Sequence, residues 1–181
     1  MSKWERENDG KPALVAEAAK LATYKLFGFP CSSSEVTDPE ATVCGMTMLG
    51  HVKHAEKQPE QRKYKGRCVV LGDVIKYLVS GDLAKLPSWV DVGEVATLEE
   101  VRTVVAWATM NGFPLQTVDL ENAYLQCEFP FPHYLRLPAS LWRLLPSRLH
   151  PPPGCSDPVW KMLRAGYGPP LSGHLFIKKV K

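Results

Sequence analysis

A capped amphipathic helix that runs into an apolar strand constrains this chain most. Thr97 and Glu100 form the pattern in which each side chain satisfies a free backbone N–H of the other residue. Behind them Leu98, Val101, Val104, Val105 and Ala108 recur at helical spacing, so one stripe of the helix calls for burial. Asn111-Gly112 ends the period, and Pro114 cannot continue it. The run LQTVDL at 115–120 then predicts a strand that carries one carboxylate, Asp119, out at its end. An acid so placed is a ligand for a divalent metal, or simply the polar end of a strand.

The other elements agree with a helix-and-sheet layer. Leu14, Ala18, Leu21 and Ala22 share a stripe that predicts a helix over 12–27, with Pro12 in its first turn and Gly28 as its stop. CSSSEVTDPEATV (31–43) is a Ser/Pro-rich connection. Residues 46–53 and 65–72 read as two strands joined by the charged turn HAEKQPEQR, a hairpin with a basic tip. Residues 72–89 form an irregular link, 134–137 and 159–163 are further strands, and HPPPGCSDP (150–158) is a rigid exposed loop. Pro169-Pro170 prevent a regular helix at the start of YGPPLSG. Residues 1–11 are polar and frayed. Helix, hairpin, helix and three strands in that order imply an α+β fold.

At 181 residues the chain is long enough for one sizeable core, and its 45% hydrophobic and 23% charged content is that of an ordinary globular protein. No run reaches the ~18 apolar residues of a membrane span, and MSKWERENDG is too polar for a secretory signal. The cysteines at 31, 44, 68, 127 and 155 show no CxxC or His-paired spacing. That argues against a disulfide frame or a zinc site and for a cytoplasmic or nuclear setting. The net charge of +3 is unevenly spread: Lys53, Lys57, Arg62, Lys63, Lys65 and Arg67 cluster against Glu56 and Glu60, and beyond Glu128 the only acid is Asp157. Such faces attract phosphate backbones; a solvated hairpin and a ragged basic tail are the plainer reading. Lys65 and Arg67 flank Gly66, so both project to one face of the hairpin, as phosphate contacts or as edge-strand protection.

The segment VDLENAYLQ (118–126) resembles the first catalytic motif of the reverse transcriptases of Ty1/copia-type retrotransposons, an Asp followed by Asn-Ala-aromatic. RKYKGRCVVLGD (62–73) is similar to that family's fingers segment, and TLEEVRTVVAWATMNGF (97–113) to the helix before its catalytic strand. HYLRLPASLW (133–142) and VWKMLRAGYGPPLSGHLF (159–176) look like the segments that follow. The resemblance implies an N-terminal helix and linker (1–44) and a truncated fingers/palm domain (45–181). It implies a partial right-hand polymerase fold, with fingers, an incomplete palm, an antiparallel sheet with packed helices, and no thumb. The implied activity is RNA-directed DNA synthesis by phosphoryl transfer on two Mg²⁺ ions, with an RNA/DNA template-primer and a deoxynucleoside triphosphate as partners. Asp119 would be the catalytic metal ligand, with the Leu120 carbonyl beside it. Ala123 would leave room for the sugar, and Tyr124 would exclude a 2′-hydroxyl; on residue type alone, Tyr124 is plain core. Lys65 and Arg67 would contact triphosphate or template, and Gly168, Ser172 and Gly173 would approach nucleotide and template.

Two departures shape what is expected of activity. Leu171 stands near the position of the family's nucleotide-contacting Gln, and no Asp-Asp pair supplies the remaining metal ligands of a Tyr-x-Asp-Asp motif. The expectation is a polyprotein piece or a decayed relic that does not polymerise alone. A non-catalytic nucleic-acid-binding module is the alternative.

Overall fold

The computed structural model describes residues 10–85 and 96–180. Of the residues expected to fray, 1–9 lie outside them, as does the end of the link at 86–89, whereas Gly10 and Lys11 are helical and not frayed. Helix α1 (Gly10–Thr23) buries Leu14, Ala18, Leu21 and Ala22, the stripe its spacing implied. It stops earlier than the glycine signal at 28. Lys25 takes the left-handed conformation (φ 55°), and the Leu26 N–H returns to the Leu21 carbonyl at 3.0 Å. Gly28 instead belongs to β1 (Phe27–Ser32), in a stretch read as the end of a helix and a connection.

The hairpin is β2 (Thr42–Lys53) and β3 (Lys63–Val70), antiparallel from Met46↔Val70 to Lys53↔Lys63. His54 turns the corner at φ 60°. A two-residue β4 (Lys76–Tyr77) pairs with Thr42 and Val43. Beyond it come α2 (Leu98–Met110), β5 (His133–Arg136), the short α3 (Ala139–Trp142), β6 (Pro158–Met162) and α4 (Pro170–Val180). Pro170 opens α4 in the first turn, where no N–H is needed.

The strands form one sheet in the order β1-β6-β5-β2-β3, with β4 also on β2. The expected antiparallel sheet is corrected to a mixed one, because β5 runs parallel to β2, with Thr42 opposite His133 and Gly45 opposite Arg136. The long path from β2 to β5 allows that direction, which no tight turn between them would. The fold is α+β, with α1 lying on β3. Inside the layer Trp160, Leu135, Met162, Leu21, Leu26 and Leu141 are fully buried. The Trp160 indole N–H donates to the Leu149 carbonyl at 2.9 Å, which ties β6 to the turn before the proline loop. Trp160→Phe keeps most of the ring but strands that carbonyl, so a urea melt should lose about 1–2 kcal/mol.

Two expectations fail together. Residues 115–120 form no strand, and every residue from 111 to 120 is exposed. Helix α2 has the expected capping box, with the Glu100 N–H on the Thr97 hydroxyl at 3.2 Å and the Thr97 N–H on the Glu100 carboxylate at 2.6 Å. Its apolar stripe is nevertheless uncovered: Ala108 alone is buried, while Leu98, Val101, Val104 and Val105 face solvent. The capping box is local and needs no partner. A strand needs a neighbour's hydrogen bonds, and among the described residues none lies beside 115–120.

Candidate functional site

A cleft of about 420 Å³ opens where α1, β3 and the chain after α2 converge. Helix α1 contributes Glu17 and Lys20, and β3 contributes Lys65 and Arg67. The irregular segment contributes Asp119, Leu120, Glu121 and Asn122, and Tyr167 comes from the chain ahead of α4. Helix α1 approaches closely because residue 66 is glycine: a Cβ there would stand 2.8 Å from the Ala13 carbonyl oxygen. Lys65 and Arg67 flank that contact point.

The acidic wall is shaped by a turn. Asn122 adopts the left-handed conformation (φ 52°) that Asn tolerates, and its amide donates to the Tyr24 hydroxyl at 3.2 Å. The Gln126 amide donates to the Glu121 carbonyl at 2.9 Å. Asp119 is exposed and, among the described residues, makes no ion pair. It faces solvent from an irregular segment, and the expected strand tip is absent.

Charge in the cleft is balanced. Glu17 is buried and paired with Lys20, and Lys65 and Arg67 line the same cleft as Asp119 and Glu121. Lys53, first, and then Arg67 lower the pKa of Lys65, as crowded cations on one hairpin face must. Burial pushes the Cys68 thiol on the same strand up to about 12, so it takes no part as a nucleophile.

Four of the residues singled out in the sequence therefore meet: Lys65, Arg67, Asp119 and Leu120. The other five do not line the cleft. Ala123 and Tyr124 lie in a 3₁₀ turn behind it, half-buried. The Tyr124 ring packs edge-on against Tyr167 at 5.2 Å and Phe176 at 5.8 Å, so it meets the cleft through Tyr167. Gly168 lies in a backbone crossing over Val70. Ser172 is buried with its hydroxyl unpartnered among the described residues, and a Cβ on Gly173 would meet open space. Sequence reading missed Glu17, Lys20 and Tyr167. Glu17 left a signal, a carboxylate three residues after Leu14 and so inside an apolar stripe.

The carboxylates of Asp119 and Glu121 and the Leu120 carbonyl are the hard oxygen donors Mg²⁺ takes. Among the described residues, however, no three His, Cys, Asp or Glu side chains converge as ligands. No helix of the described residues is long and apolar enough to cross a membrane. Family models, curated proteins and solved structures offer no match to this chain.

Proposed function

We propose that this chain is the fingers and first palm portion of a Ty1/copia-type reverse transcriptase, and that its cleft faces the phosphates of a nucleotide or template-primer. One observation carries this reading: Lys65 and Arg67 line a single cleft with Asp119 and Leu120, some fifty positions on. Two of the proposed phosphate contacts thus meet the proposed metal ligands. The forked guanidinium of Arg67 suits phosphate oxygens, and Lys65 adds a point charge. Hairpin cations outside the cleft, Lys53 and Lys63, extend the attraction along the strand pair. With no Asp-Asp pair in the sequence, and no group of three metal-ligating side chains among the described residues, these residues bind and do not polymerise. A non-catalytic nucleic-acid-binding module, or a relic of the same ancestry, is the second reading. The short carboxylate set favours it over an active enzyme.

Fluorescence anisotropy with a labelled RNA/DNA template-primer over a salt series tests the proposal. Lys65→Ala with Arg67→Ala should flatten the slope of log affinity against log salt by about two, roughly one per lost phosphate contact. An unchanged slope removes both readings. Asp119→Asn separates them. If the cleft is a polymerase relic, Mg²⁺ should strengthen triphosphate binding in the parent and not in the variant, whereas a plain binding module should show no difference.

A further inference from the structure

Residues distant in sequence enclose a second hollow, of about 200 Å³, between the link after β4, the segment before β5 and the start of α4. Its walls are apolar: Ile75, Phe129, Phe131, Pro132, Pro170 and Leu171. Phe131 packs edge-on against Phe129 at 5.8 Å, and Phe129 leans on the His133 ring at 5.7 Å, so the three rings form one connected wall. A dry cavity of about 150 Å³ lined by Leu, Ile and Phe admits benzene, which makes this one suited to a single substituted ring.

Its few polar groups are arranged with equal economy. Thr42 and His133 border the hollow and bond to each other at 2.7 Å, and the second ring nitrogen of His133 is taken by Cys44 at 3.1 Å. The imidazole is therefore fully engaged, and the Thr42 hydroxyl keeps capacity for up to two more bonds. Exposed Glu40 and Lys85 also border the hollow, opposite in sign, and among the described residues neither is in an ion pair. A ring-lined interior with an anion and a cation at its edge complements a molecule that carries both charges next to a ring.

We infer that this hollow binds a small aromatic zwitterion, its ring against Phe129 and Phe131 and its ammonium and carboxylate held by Glu40 and Lys85. The site shares no lining residue with the cleft, so it stands or falls independently of the proposed function.

An NMR titration of the isotope-labelled full chain with phenylalanine, and with toluene as a probe lacking the charged head, tests it. Phenylalanine should shift the His133 ring protons and the Thr42 amide saturably. Ala84→Trp, a substitution on a half-exposed lining residue, should abolish those shifts while leaving the thermal midpoint in place. Glu40→Gln with Lys85→Gln should weaken phenylalanine several-fold and leave toluene unaffected. No saturable shift up to the solubility of phenylalanine, or shifts that persist in Ala84→Trp, would overturn the inference. So would toluene binding as tightly as phenylalanine, or binding seen only after residues 86–95 are removed, which would assign the hollow to the chain itself.

Discussion

Gly168→Ala should cost this fold at least about 4 kcal/mol in urea denaturation, the range reached only when backbone atoms are forced apart. Gly168 has φ +119°, a conformation L side chains rarely adopt, and a Cβ there would lie 1.8 Å from the Val70 carbonyl oxygen and 2.9 Å from its carbonyl carbon. The neighbouring backbone has no room to yield. The Val70 N–H donates to the Tyr167 carbonyl at 2.8 Å, and a Cβ on Gly72 would stand 2.7 Å from the Pro169 Cα. Two stretches of main chain, 70–72 and 167–169, therefore cross at contact distance, and neither tolerates an added methyl at the crossing. Relief would require breaking the Val70–Tyr167 bond and moving Tyr167, a wall of the cleft. Gly173→Ala is the matched control: it lies in α4 with nothing within 4 Å of its Cβ, so it should be neutral or stabilise by up to about 1 kcal/mol. If Gly168→Ala melts within 1 kcal/mol of the parent, the crossing is not as described. The requirement for glycine at 168 thus follows from chain crossing alone, without a nucleotide.

Acid should weaken the fold through His133. The side chain is 3% exposed, and burial pushes its pKa down to about 4 from the ordinary 6.5. The native state therefore holds His133 neutral, between the Thr42 hydroxyl and the Cys44 thiol. The thiol is itself raised to about 12, first by burial and then by Asp73, and so stays uncharged. The unfolded chain takes up a proton below pH 6.5, whereas the folded chain resists until about 4. The stabilisation is complete above 6.5 and is lost as pH falls from there through 4. Linkage puts the total at about 3 kcal/mol, of which about 2 is gone by pH 5, where most carboxylates have barely begun to titrate. Urea midpoints at pH 7 and pH 5 should show that drop in the parent and a much smaller one in His133→Gln. Equal drops in both proteins would mean that another group carries the acid sensitivity.

Features set within a few residues were legible before any coordinates. Thr97 and Glu100 start α2 where they must, since a capping box closes on itself. The alternation and charged turn around 54–62 mark the β2–β3 hairpin, and Leu14, Ala18 and Leu21 mark the buried face of α1. The apolar run at 115–120 misled because hydrophobicity records a preference for burial, while a strand exists only beside another strand. Strands β1 and β4 left little trace: one contains Pro30, and the other is two residues long and exists because β2 offers it an edge.

By itself, the amino-acid order determined the capped helix, the hairpin and the charges that flank Gly66. Tertiary structure alone decided that β5 runs parallel to β2, that Glu17, Lys20 and Tyr167 join Asp119 around one cleft, and that Tyr124 turns away from it. The physical reason is range: caps and turns are satisfied by atoms a few residues apart, whereas strand direction and cleft walls depend on which distant surfaces meet when the core closes.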